Sequence, residues 1–152
     1  MHVFRHDPET DSALLGRSPA YPPGMFTCLS GFVDNCEPLE DAVRREVFEE
    51  AGVRVGAVDF VGSQPWAIGR SGTCELMLGC IAEATSTDIT LQEEEVEAAR
   101  WVPRAEVAEA VRVAASASTV ADGELWIPGP FAIAHHLIKR WADGSPTTTT
   151  TK

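Results

Sequence analysis

Long apolar runs are missing from this sequence. Nowhere among its 152 residues does a stretch approach the roughly 18 apolar positions that a membrane span requires, so no transmembrane segment is expected. The opening residues, "MHVFRHDPETDSALLGR", lack the apolar centre of a secretory leader. Cytoplasm is therefore the default compartment, with a peroxisome or another organelle left open. Basic residues are scarce as well. Twelve Lys and Arg stand against 23 Asp and Glu, for a formal net charge of −11. Such a surface repels a phosphate backbone and disfavours strong non-specific nucleic-acid binding, but it permits an anionic substrate held through metal ions. Cysteine is limited to Cys28, Cys36, Cys74 and Cys80, without a C-x-x-C pair and without histidines at finger spacing. No zinc is expected in this chain, and the thiols read as reduced core residues.

What is present suffices for one domain with its own core, expected over 1–144, followed by a low-complexity tail "SPTTTTTK" expected to be disordered over 145–152. Short strands are predicted at 2–6 and 12–16 around the turn former "DPETD". A proline-rich connector, "SPAYPPG", leads to "MFTCLSGF", which reads as a buried strand. A helix is predicted over about 38–51, opened by Pro38 and stopped by Gly52. Strands follow in "VRVGAVDFVGSQPW", "CELMLGCIAEA" and "VEAARWVP", with a polar loop and a short strand in "TSTDITLQEEE" between the last two. Helical spacing returns in "RAEVAEAVRVAASAS", with Val107, Val111 and Ala114 on one face, and in "AIAHHLIKRWA", with Ile133, Leu137 and Trp141 in line. Strands interspersed with three helices predict an α/β (α+β) fold with a mixed sheet between helices.

The predicted helix at 38–51 mixes charge with apolar surface. At 100° per residue, Glu46, Glu49 and Glu50 fall within about 100° of arc, beside the apolar line Leu39, Val43 and Val47. Glu46 and Glu50 thus point at the edge of the core, where an uncompensated carboxylate is costly. Two such charges 4 Å apart repel by about 4 kcal/mol at an effective dielectric near 20. Divalent cations with oxygen ligands would relieve that repulsion, Mg²⁺ being usual where phosphates also bind. A lone Glu-Glu pair is ordinarily a solvated face. Here the surrounding pattern is longer: Gly31, five residues, Glu37, seven residues, Arg45-Glu46-Val47, one residue, Glu49-Glu50, one residue, Gly52-Val53.

That pattern resembles the Nudix box at every required position. The resemblance implies an αβα sandwich that hydrolyses a nucleoside diphosphate linked to another moiety, with two or more Mg²⁺ or Mn²⁺ ions. Gly31 is expected to permit a tight turn, and Glu37 to pair with Arg45 and hold the loop. Glu46, Glu49 and Glu50 would bind metal, and the residues leave open which carboxylate acts as general base.

The likeness continues over about residues 13–142. "YPPGMFTCLSGF", "SQPW", "ARWV" and "AIAHHLIKRW" resemble the NADH pyrophosphatase branch, which includes enzymes that remove NAD caps from RNA. Carried over by position, the metal ligands would be the Ser30 carbonyl, Glu46, Glu49, Glu50 and Glu95, with Arg45 beside them in the catalytic set. Substrate contacts would come from Gln64, Pro65, Trp66 and Ser71, with Ala134 bordering the dinucleotide. Phe32 has two readings, a ring stacked on the substrate or an ordinary core aromatic. Trp101, Trp126 and Trp141 are assigned to packing, and His135 and His136 to exposed or capping positions. The implied reaction is metal-dependent hydrolysis of NADH or NAD⁺ to nicotinamide mononucleotide and AMP. ADP-ribose, NAD-capped RNA and a weakly catalytic binding module are the alternatives, and the resemblance leaves room for a homodimer. The chain departs from the branch at Ala67, Ile68 and Gly69, which stand where a stiff Pro-Phe-Pro run is usual. The branch's zinc ribbon and upstream domain have no counterpart here.

Overall fold

The computed structural model describes residues 2–7, 11–67, 72–92, 95–116 and 124–144, with backbone alone for 2–7. Five strands and three helices follow one another as β1 (His2–Asp7), β2 (Ser12–Arg17), α1 (Leu39–Ala51), β3 (Val55–Trp66), β4 (Glu75–Ala84), β5 (Ala98–Pro103), α2 (Arg104–Ala115) and α3 (Ile133–Ala142). The strands form one sheet in the order β3-β4-β1-β2-β5. Only the β1–β4 pairing is parallel; β1–β2, β2–β5 and β3–β4 are antiparallel. The expected mixed sheet is thus present, with β1 at its centre.

Period-two alternation on the strands sends side chains to both faces. Leu14 of β2, with Cys80 and Ala82 of β4, packs against Ala42, Val43, Val47 and Ala51 of α1. Their chain neighbours Ala13, Leu15 and Ile81 face the other way, against Val107 and Val111 of α2 and Leu137, Ile138 and Trp141 of α3. Both sheet faces are therefore covered, α1 on one side and α2 with α3 on the other. This is an αβα sandwich.

Three sequence expectations need correcting. "MFTCLSGF" is not a strand. It makes isolated bridges from Thr27 to Gly16 and from Met25 to Trp126. β1 occupies that edge of β2 as far as Leu14, which leaves room for a single bridge before the segment departs. Its burial was read correctly, since Thr27, Cys28 and Leu29 are buried. No strand occurs in 85–92 or at Glu95, the described parts of the polar loop. Of the four cysteines, only Cys28 and Cys80 are core thiols; Cys36 and Cys74 are exposed. Burial pushes the Cys80 thiol up to about 11 and Cys28 higher still. The tail over 145–152 lies outside the described residues.

Candidate active site

Helix α1 begins after Pro38, whose carbonyl accepts from the Asp41 and Ala42 amides. It ends at Gly52, which takes the left-handed conformation (φ 67°) and donates its N–H to the Phe48 carbonyl. Gly52 is glycine for a second reason: a Cβ there would stand 2.9 Å from the Thr90 side chain. That close approach docks the following loop onto the helix end, where Thr90 N–H donates to Ala51 O and Gln92 N–H to Glu50 O. Two of the helix's last carbonyls are satisfied in this way. Gln92 in turn accepts from the amides of Glu95 and Val96. The turn so formed carries Glu95 back toward α1.

The loop in front of α1 is fastened by one guanidinium. Arg45 donates to Glu37 at 2.9 and 2.8 Å, to Glu46 at 3.0 Å, to Glu49 at 3.1 Å and to the Phe32 carbonyl at 2.9 Å. Glu46 accepts from Phe32 N–H at 3.0 Å, and Glu37 from Asp34 N–H at 3.1 Å. The hydrogen bond from Arg45 is the main reason the Glu37 carboxyl lies below its ordinary range. Its partner Arg45 is held charged chiefly by Glu37, with Glu46 and Glu49 adding to it.

Gly31 plays a different part from the one expected. It is not among the glycines at positive φ. A Cβ at 31 would instead lie 1.9 Å from the Glu46 carboxyl carbon. The missing side chain makes room for the carboxylate.

Ser30, Gly31, Phe32, Glu46, Glu49, Gln92 and Glu95 line one cavity of about 380 Å³. Glu50, one turn after Glu46, is 6 % exposed and sits in the apolar stripe of α1, as its helical angle required. Phe32 is 57 % exposed, which removes the reading as a core aromatic. Gln92 was missed by sequence reasoning; its signal was only a position three residues before Glu95 in a polar loop.

Gln64, Pro65 and Trp66 lie at the end of β3 and Ala134 in the first turn of α3, and none of them is part of that lining. Ala134 is buried, its carbonyl 3.8 Å from the Cys28 thiol. Ser71 lies outside the described residues, as do Glu93 and Glu94. His135 is not exposed; it is 2 % accessible, with Nδ1 2.9 Å from the Pro128 carbonyl, and burial lowers its pKa. Trp141 packs in the core as assigned.

Among the described residues, no three His, Cys, Asp or Glu side chains are gathered as a ready metal-ligand group. Arg45 engages carboxylate oxygens of Glu46 and Glu49, and the Phe32 amide engages Glu46. The donor chemistry nonetheless fits a hard divalent cation. Carboxylates of Glu46, Glu49 and Glu95 share the cavity with Ser30, and every one of these groups offers oxygen.

Comparison with known proteins gives the family. Residues 1–122 match the NUDIX domain. The chain belongs to the Nudix family. It is 45 % identical to human "NAD-capped RNA hydrolase NUDT12" over 91 % of its own length and 28 % of the relative's. It is 37 % identical to human "NAD(P)H pyrophosphatase NUDT13, mitochondrial" over 86 % of its length and 37 % of the relative's. The chain thus spans well under half of these relatives. A Nudix-family hydrolase structure from Clostridium perfringens shares the fold, with a TM-score of 0.68, 14 % identity and 95 % of both chains covered. Among the described residues, no helix of this Nudix chain is long and apolar enough to cross a membrane.

Proposed function

We propose that this Nudix domain is a pyrophosphohydrolase acting on NADH or NAD⁺, releasing nicotinamide mononucleotide and AMP. The observation that carries the reading is the acidic cavity, where Ser30, Glu46, Glu49 and Glu95 present oxygen around one space beside the buried Glu50. The names of the NUDT12 and NUDT13 relatives, both concerned with NAD-type molecules, support the choice of substrate.

Glu46, Glu49, Glu50, Glu95 and the Ser30 carbonyl would hold Mg²⁺ or Mn²⁺. Such an ion, when bound, lowers the pKa of coordinated water and offsets charge on diphosphate oxygens. The protein's own part is to place these groups. Arg45 fixes Glu46 and Glu49 from behind and ties them to the 31–37 loop, so the carboxylates do not splay apart. Phe32, exposed at the rim, offers a ring face to the substrate. One chain supplies all of these residues, so the reading requires no second copy.

The test is a product-resolved assay of the purified chain with Mg²⁺ or Mn²⁺. AMP and reduced nicotinamide mononucleotide are expected from NADH, and none when the metal is chelated. Failure to cleave NADH, NAD⁺ and ADP-ribose alike would leave a Nudix-fold binding module instead.

A further inference from the structure

Phe131 is 71 % exposed, more than any other large apolar residue among those described. A single exposed phenylalanine is unremarkable in itself. This one is held in place from several directions. Its ring stacks on Trp66 at a centroid distance of 6.2 Å and an interplanar angle of 22°. A Cβ at Gly129 would come within 2.9 Å of the ring, so the glycine gives it space. Gln64 Nε2 donates to the Phe131 carbonyl at 2.7 Å, while Gln64 Oε1 accepts from Ile133 N–H at 2.7 Å.

Both ends of the Gln64 amide are therefore engaged with the turn that opens α3. From a neighbouring strand, it caps a first-turn amide of that helix. The backbone that carries Phe131 is fixed before any ligand arrives, which lowers the ordering cost of a ring contact. Trp66 is half-buried while Phe131 is exposed, so of the two rings Phe131 offers the more open surface to a planar group. "AIG" at 67–69 carries no aromatic ring, and the ring surface here comes from Trp66 and Phe131.

The pair is linked to the cavity wall through the Cys28 segment. Ala134, three residues after Phe131, touches Cys28 through its carbonyl. Two residues beyond Cys28 the chain reaches Ser30 in the cavity wall, a span of roughly 7 Å. A dinucleotide carries a ring on each side of its diphosphate, so one ring can extend from the carboxylates toward this end of β3.

We propose that Phe131 is a specificity-determining residue, forming with Trp66 a flat stacking surface for one ring of a dinucleotide, with Gln64 as its positioning residue. This rests on the reading of the chain as a dinucleotide hydrolase.

Kinetics of the wild type, F131A and F131Y with NADH and with ADP-ribose test it, alongside inhibition by inorganic pyrophosphate, which has no ring. For F131A the KM for NADH is expected to rise on the order of three- to tenfold with kcat little changed, and F131Y to restore it. Pyrophosphate inhibition should not move. A KM increase confined to NADH assigns the nicotinamide ring to this surface, and an equal increase with ADP-ribose assigns the adenine. No increase with either, or a weakening of pyrophosphate to match, overturns the proposal. If the wild type cleaves neither substrate, the same variants are compared by calorimetric titration of NADH. Weaker NADH binding by F131A then preserves the ring contact while the hydrolase reading falls. Undetectable or unaltered binding overturns the ring contact as well.

Discussion

A Cβ atom at position 31 would stand 1.9 Å from the Glu46 carboxyl carbon, so Gly31→Ala must push that carboxylate off the Phe32 amide. Misplacement of a catalytic group by about 1 Å can cost a hundredfold in rate. Steady-state kinetics of Gly31→Ala should accordingly show kcat reduced by roughly that factor, with a melting temperature near the wild type; an unimpaired enzyme would refute the steric argument. Sequence spacing located this glycine but gave the wrong cause, because a turn residue and a cradle for a carboxylate read alike in one dimension. Glu50 was more legible. Its helical angle coincides with the Val43 and Val47 stripe, and it is buried there. Gln92 and Phe131 were not legible, since each is placed by hydrogen bonds between distant segments.

At the scale of elements, α1 and the loop before it are joined through Arg45, and the Glu37 end of that join can be read by pH. Glu37 is held below its ordinary value of 4.5, first by the hydrogen bond from Arg45. A depressed folded-state pKa contributes stability that is present above the unfolded value and is lost as pH falls through the folded one. Thermal melts of the wild type should therefore lose stability below about pH 4.5, more steeply than those of Glu37→Gln. Identical acid profiles would show that the pair contributes nothing to the fold. The box predicted this pairing, and helix boundaries were recovered to within a residue because Pro38 and Gly52 act locally. The segment 25–32 was misjudged. Its apolar character was plain, but whether a strand edge was free to receive it depended on how far β1 runs along β2.

Across the whole molecule, three layers divide the thiols into two classes. Cys28 and Cys80 are sealed between sheet and helices, with their pKa values raised by burial, whereas Cys36 and Cys74 are exposed. An aromatic disulfide reagent at neutral pH should titrate two thiols in the native protein and all four in denaturant, because reaction needs access and thiolate. Four fast-reacting thiols without denaturant would contradict the packing described. The same layering lets one helix carry both a core stripe and an acidic cluster: α1 covers one sheet face while its Glu46 and Glu49 edge borders the cavity. The chain carries a net charge of −11, and at this edge Arg45 is shared by Glu37, Glu46 and Glu49.

Calorimetric titration of the purified chain with Mn²⁺ tests this arrangement most directly. The account predicts saturable uptake by the wild type, weakened at least roughly tenfold in Glu50→Gln without change of fold. A wild-type protein that takes up neither Mn²⁺ nor Mg²⁺ would contradict it.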